Sequence, residues 1–60
     1  MLERYDLERD ADGWTVFDVW TGRPVVIARR PQTAMRFHEA CELAALLNEQ
    51  ARQGNRVVLQ

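Results

Sequence analysis

The stretch Trp14–Trp20 constrains what this chain can fold into more than any other part of it. Its residues are β-branched and aromatic, and turn residues flank them, which predicts a β-strand. Side chains alternate between the two faces of a strand. One face then carries Trp14, Val16, Asp18 and Trp20, and the other carries Thr15, Phe17 and Val19. Because both faces are largely apolar, both need to be covered.

A chain of 60 residues has few means of covering two faces. Small domains gain stability from disulfides, from a metal or from a second subunit. The single cysteine, Cys41, excludes an internal disulfide, and the single histidine, His38, argues against a structural zinc site. We therefore expect association with another chain, and no metal or cofactor.

Charge and hydropathy restrict the partners further. The net charge is -1 and the pI is about 5.7, whereas domains that bind a phosphate backbone usually carry a basic excess. No apolar run reaches 18 residues, and Met1 leads into a mixed charged segment unlike a signal peptide. These features predict a cytoplasmic protein that does not enter a membrane, and the lone thiol agrees with a reducing compartment.

The rest of the first half predicts two further strands. Glu3–Arg9 alternates charged and apolar residues, as a half-buried edge strand does. Asp10–Gly13 predicts a tight hairpin turn in which Gly13 takes a positive φ. Thr21–Pro24 predicts a second turn, and Val25–Ala28 predicts a third strand that is apolar on both faces.

The second half predicts one long helix, over Ala34–Gln53. Thr33 is the expected N-cap, and Gly54 stands where helices commonly stop. Met35 and Leu46 fall on the outer side, away from the predicted buried stripe. That stripe consists of Phe37, Ala40, Cys41, Ala44, Leu47 and Ala51, with Leu43 beside it.

Together these elements predict an α+β domain over residues 1–60 in the order β-β-β-α-β. A three-stranded antiparallel meander carries one helix on one face, and Arg56–Gln60 forms a short fourth strand that pairs within its own chain or with a partner's sheet. One helix covers only one side of a small sheet. We therefore predict a homodimer, or binding to another protein, through the sheet face of Trp14, Val16, Asp18 and Trp20.

Candidate catalytic groups are few, and the chain is predicted not to be an enzyme. His38 lies three residues before Cys41 and four before Glu42, but a core cysteine and a solvated histidine explain these spacings better than a nucleophile or metal pair. Asp18 lies on an apolar face and should bind an arginine of a neighbouring strand or subunit. The remaining acidic residues of the first half fit an edge strand and a turn. They are Asp6, Glu8, Asp10 and Asp12.

Four arginines define the alternative function, a small nucleic-acid-binding domain. Arg29, Arg30 and Arg36 gather around the start of the predicted helix, where backbone amides favour anions. Arg23 would add a phosphate contact, while Trp14 and Trp20 of the sheet would stack on bases. Loop arginines are more often only solvated, and no glycine-rich phosphate loop accompanies these.

Two motifs carry a resemblance across most of the chain. They are Trp14-Thr15-Val16-x-Asp18-x-x-Thr21-Gly22-Arg23-Pro24 and Ala40-x-x-Leu43-Ala44-x-Leu46-Leu47-Asn48. They resemble short uncharacterised proteins of GC-rich bacteria, a likeness that implies no activity or binding residue. The order of three strands and a helix is also similar to that of AP2 and integrase arm-binding domains, which read DNA with their sheet, and this likeness is one of topology.

Overall fold

The architecture is built around the strand that the sequence singles out. The structure is a computed structural model that describes residues 3–54. Its elements are β1 (Tyr5–Arg9), β2 (Trp14–Asp18), β3 (Arg23–Pro24), β4 (Val26–Ile27), β5 (Arg30–Pro31) and α1 (Phe37–Arg52). The strands β1, β2 and β3 form an antiparallel sheet in that order, and α1 packs across it. The predicted α+β class, with a three-stranded meander followed by one helix, is confirmed. The predicted fourth strand, Arg56–Gln60, lies outside the described residues.

The strand β2 is paired along both of its sides. On one side it meets β1, with Leu7 opposite Val16. The other side is completed piecewise: the Trp14 and Met35 backbones exchange two hydrogen bonds of 2.9 Å, and the Val16 amide donates to the Gln32 carbonyl at 3.0 Å. The short β3 completes it beyond Val16. Three separate segments thus satisfy backbone groups that a single long strand would otherwise bind.

The close pairing of Trp14 with Met35 explains Gly13. A Cβ atom on Gly13 would lie 2.6 Å from the Met35 carbonyl oxygen, well inside van der Waals contact. The prediction that Gly13 takes a positive φ is wrong, because Gly22 and Gly54 are the glycines with positive φ. Gly13 is required for the close approach of two backbones.

The predicted third strand, Val25–Ala28, is wrong in its bounds. The residues that pair with β2 come earlier, as β3, and β4 instead pairs with β5 in a separate two-stranded sheet. The β4–β5 turn consists of Ala28 (φ 52°) and Arg29 (φ 67°). Positive φ at both central residues is typical of type I′ turns, in which asparagine and glycine are the usual residues. The chain folds back here because the Val25 amide and the Gln32 carbonyl both bind Val16.

The helix begins later than its sequence pattern indicates, so the predicted N-cap Thr33 and start at Ala34 are wrong. Ala34 has a φ of 56° and donates its amide to the Asp10 carboxylate at 2.9 Å. Met35 is extended against Trp14 and half-buried, so its predicted place on the outer side of the helix is also wrong. Arg36 takes the N-cap position without a side-chain hydrogen bond. Contacts with the sheet therefore override the local helical preference of this segment.

The end of the helix agrees with the prediction. α1 stops at Arg52, and Gly54 has a φ of 71° with its amide donating to the Ala51 carbonyl at 3.1 Å. Glycine tolerates this left-handed conformation without the steric penalty of a Cβ atom.

The core lies between α1 and one face of the sheet. It consists of the buried residues Val16, Val25, Ala40, Ala44 and Leu47, ringed by the half-buried Tyr5, Leu7, Trp14, Ile27, Met35 and Leu43. The small Ala40 and Ala44 let the helix approach Val16 closely. Two residues of the predicted stripe, Phe37 and Ala51, are exposed, and Cys41 is half-buried.

The position of this core corrects the predicted docking face. α1 covers the face of Trp14 and Val16, which we expected to be open, and Val16 is 0% exposed. A partner chain therefore cannot contact Val16, and the four residues of that face do not form one exposed surface. The face left without a helix is the opposite one.

Candidate interaction surface

The two tryptophans lie at opposite ends of β2 and in different environments. Trp14 is half-buried, and its ring meets Phe37 edge to face at a centroid distance of 4.9 Å. Trp20 lies two residues beyond the end of β2 and is 74% exposed. Of the two, only Trp20 offers a free aromatic surface, so Trp14 cannot serve as the open stacking platform predicted for it.

Trp20 is exposed but held in place. The Arg4 guanidinium lies 4.0 Å from the centre of its ring and donates to Asp18 Oδ2 at 2.9 Å. Asp18 Oδ1 accepts the Trp20 backbone amide at 2.9 Å. The predicted arginine partner of Asp18 is thus Arg4 of the same chain. Burial raises the pKa of Asp18, but the hydrogen bonds from Arg4 and the Trp20 amide outweigh burial and leave that pKa below its usual value.

We call the sheet face away from the helix the open face. It carries Asp6 and Glu8 from β1 and Phe17 from β2, with Asp6 directly opposite Phe17. The Val19 amide donates to the Arg4 carbonyl at 2.7 Å, so the ladder continues one residue and Val19 shares this face. Val19 is 40% exposed.

A groove of about 610 Å³ runs beside β1. It is lined by Glu3, Tyr5, Asp6, Phe17, Val19, Ala44 and Asn48. Its apolar walls come from aromatic and aliphatic side chains, and its charged groups, Glu3 and Asp6, are both acidic. Glu3 binds Arg52 at 2.7 Å, whereas Asp6 makes no ion pair within residues 3–54.

Asn48 closes the outer edge of β1 beside this groove. Its side-chain carbonyl accepts the Tyr5 amide at 2.8 Å, and its side-chain amide donates to the Tyr5 carbonyl at 2.9 Å. This pair of bonds replaces the neighbouring strand that an edge residue lacks. Sequence reasoning missed Asn48, and the signal was its spacing: it lies four residues after the buried Ala44, where a polar side chain needs a partner.

The four predicted anion contacts are all exposed, and they belong to different parts of the chain. Arg29 and Arg30 lie together on the β4–β5 hairpin, Arg23 lies on β3, and Arg36 precedes α1. None of the four makes an ion pair within residues 3–54.

Charge is unevenly distributed along the chain. Residues 19–37 contain four arginines and no acidic residue, whereas residues 1–18 contain six acidic residues and two arginines. The β1–β2 side of the molecule is therefore acidic, and the β3–β5 side is basic.

Asp10 accepts three hydrogen bonds near the Trp14 end of β2, which we call the closed end. Its carboxylate accepts the Thr15 hydroxyl at 2.6 Å, the Ala34 amide at 2.9 Å and the Asp12 amide at 2.8 Å. The Thr15 bond and then the Ala34 bond lower the pKa of Asp10 to about 2. This carboxylate therefore ties the β1–β2 turn to the segment before the helix, and its role is structural.

The other titratable candidates do not converge. His38 is exposed and Cys41 is half-buried on α1, and no hydrogen bond or ion pair joins them. Within residues 3–54, no three histidine, cysteine or acidic side chains are grouped as metal ligands would be. In the same part of the chain, no helix is both long enough and apolar enough to cross a membrane.

Comparison with known proteins gave no match to a family model, to a curated protein or to a solved structure. The resemblances drawn from the two sequence motifs therefore stay predictions.

Proposed function

We propose that this chain is a non-enzymatic interaction module that self-associates through the apolar surface formed by Phe17, Val19 and Trp20. The observation that carries this proposal is the state of Trp20, which is 74% exposed yet fixed by Arg4 and Asp18. A side chain already ordered before binding loses little conformational entropy when a partner covers it.

The gain from covering Trp20 is large for a protein of this size. A tryptophan buries on the order of 150–250 Å². At about 25 cal/mol per Å² this amounts to several kcal/mol, a large part of the stability of a small domain. Tryptophan and arginine are also the residues that most often dominate binding energy at protein interfaces. Trp20 and Arg4 bring both to one place.

The absence of catalysis and a cytoplasmic location belong to the same proposal. The lack of a convincing nucleophile and base pair supports the first. The single unpaired thiol, Cys41, supports the second.

Sedimentation velocity over about 10–500 μM tests the proposal. We expect the wild type to associate within this range and Trp20→Glu to remain monomeric, because an ionised carboxylate is costly to bury in an apolar contact. Leu46→Glu is the matched control, since Leu46 is 54% exposed on α1, away from the proposed surface. A wild type that is monomeric throughout, or a dimer that Trp20→Glu leaves intact, refutes the proposal.

A second candidate function is nucleic-acid binding. One observation favours it: four exposed arginines occupy a segment without acidic residues that begins beside Trp20. Aromatic side chains stack on unpaired bases and arginines bind phosphates. Titration with single-stranded DNA should then quench the Trp20 fluorescence at about 50 mM salt and lose most of that effect at about 200 mM. Unchanged fluorescence at low salt refutes this function.

A further inference from the structure

We propose that the chain associates head to tail, with the β4–β5 hairpin of one copy seated in the acidic groove of the next. This inference rests on the proposed self-association, keeps Phe17 and Val19 of its apolar surface, and adds the segment of the second copy that covers them. One occupant is chosen, a second copy of the chain, because the molecule carries two surfaces of complementary charge and of matching apolar character.

The first surface is the groove beside β1. Phe17 and Val19 supply apolar contacts, and Asp6 lies directly opposite Phe17 across the two strands. Asp6 accepts the Leu7 amide through Oδ1 at 2.8 Å, which orients the carboxylate but leaves its charge without an ion pair within residues 3–54. The groove thus favours an occupant that is apolar on one side and carries a cation.

The second surface is the β4–β5 hairpin, which has these properties. Val26 and Pro31 face each other across the two strands, and both are exposed, Val26 to 43%. Arg29 stands at the tip and Arg30 follows it, and neither makes an ion pair within the described part of the chain. Ile27, on the other side of β4, packs against the core and anchors the hairpin to its own molecule.

The backbone conformation of the hairpin tip also supports a role in binding. Ala28 and Arg29 both have positive φ, a conformation in which glycine or asparagine would be less strained. Outliers of this kind occur preferentially where a loop binds a ligand or partner. An arginine at this position places an exposed cationic residue in the turn of the hairpin.

The placement of the two surfaces determines the kind of assembly. The groove lies along β1, and the hairpin lies beyond the opposite side of β2. Because the two contacting surfaces differ, each contact leaves one free groove and one free hairpin on the pair. Such heterologous contacts generate rings or open chains, whereas a symmetric dimer uses the same surface twice.

Two variants, each with one surface disabled, test this geometry. The hairpin variant carries Arg29→Gln and Arg30→Gln, and the groove variant carries Asp6→Arg and Val19→Arg, so that the two disabled surfaces do not attract each other. The control for the groove variant carries Glu39→Arg and Ala45→Arg, which makes the same change of charge at exposed positions of α1. Circular dichroism establishes that each variant retains the fold, and any variant that does not is replaced by its less severe form, Arg30→Gln alone or Asp6→Asn with Val19→Thr.

Sedimentation velocity at about 100 mM salt gives the readout. We expect the wild type and the control to form species larger than a dimer as concentration rises, and each disabled variant alone to stay monomeric. An equimolar mixture of the two variants should form a 1:1 dimer and nothing larger, because the intact groove of one accepts the intact hairpin of the other.

The contrary outcomes separate the two proposals. A wild type that associates while the mixture stays monomeric overturns the head-to-tail geometry and leaves self-association standing. Variants that assemble like the wild type place the interface away from both surfaces. A wild type that remains monomeric at 500 μM refutes self-association together with this inference.

Discussion

The two ends of β2 differ in how they are held, although each carries a tryptophan. At the closed end, Trp14 bonds to Met35, packs on Phe37 and adjoins the turn that Asp10 fixes to Ala34. At the open end, Trp20 is held by the Arg4 guanidinium over its ring and by one backbone hydrogen bond to Asp18, and it is otherwise in solvent. Two identical side chains, one at the start of β2 and one two residues beyond its end, thus serve different purposes: the first stabilises the fold, and the second remains available for a contact.

Substituting one glycine near each end of β2 should give the largest difference in unfolding free energy between the two ends. Gly13→Ala at the closed end pushes a Cβ atom against the Met35 carbonyl and should lower the free energy of unfolding by about 2–3 kcal/mol. Gly22→Ala at the open end meets no atom within 4 Å and pays only for its φ of 73°, about 1 kcal/mol. Urea denaturation of both variants measures the difference. Equal losses would contradict the close approach at Gly13.

The tryptophans themselves give the next largest effect. Trp14→Ala removes a half-buried ring from the core and should destabilise the fold by about 2–3 kcal/mol, below the range for a fully buried aromatic residue. Trp20→Ala should change stability by less than about 1 kcal/mol, because the side chain is mostly in solvent. Both variants are compared by urea denaturation at a concentration where the protein is monomeric. A larger loss for Trp20→Ala would show that the open end carries stability after all.

The pH dependence of stability should reveal the contribution of the Asp10 carboxylate, which lies at the closed end. The pKa of Asp10 is about 2 in the folded protein and near 3.9 in an unfolded chain. Because the folded pKa is the lower one, the contribution is fully present above about pH 4 and is lost as the pH falls toward 2. Asp10→Asn removes this titration, so its unfolding free energy should fall less steeply with acid than that of the wild type. Parallel pH profiles would contradict the role of Asp10.

The smallest effect should come from the ion pairs. Arg4→Gln removes both the ring contact with Trp20 and a bond to the largely buried Asp18, and it should cost about 1 kcal/mol. Arg52→Gln removes contacts with Glu3 and Glu49 in which all groups are about half exposed, and it should leave the free energy of unfolding nearly unchanged. Thermal unfolding at low and at high salt distinguishes them, since only exposed pairs are strongly screened. A larger loss at Arg52 would reverse the order.

Local sequence signals predicted those elements whose conformation depends on residues close to them in the sequence. The alternation of β1, the aromatic run of β2 and the stop at Gly54 each depend on near neighbours, and each element is found, although β1 begins two residues later and β2 ends two residues earlier than predicted. The start of α1 depends instead on Trp14, a residue distant in sequence, which holds Met35 extended. The same limitation hid the Asn48 contact with Tyr5.

The candidate site was predicted in part. Asp18 as the partner of an arginine follows from its place on an apolar strand face, whereas Trp20 is exposed because β2 ends at Asp18, before the chain reaches it. Strand periodicity does not predict which face the helix covers, because the residues on both faces of β2 are largely apolar. The outcome depends on β1: the register places Tyr5 and Leu7 on the face of Val16, and Asp6 and Glu8 on the face of Phe17. Pairing the two strands in sequence would have shown which face is the core.

The turn at Ala28 and Arg29 has a consequence for anyone who engineers this protein. Replacing the pair by asparagine and glycine suits the two positive φ angles and should raise the melting temperature. The same change removes the guanidinium at the outermost point of the hairpin. If the hairpin binds a neighbouring copy, thermostability and assembly become opposing demands on two adjacent residues, and selection for one should cost the other.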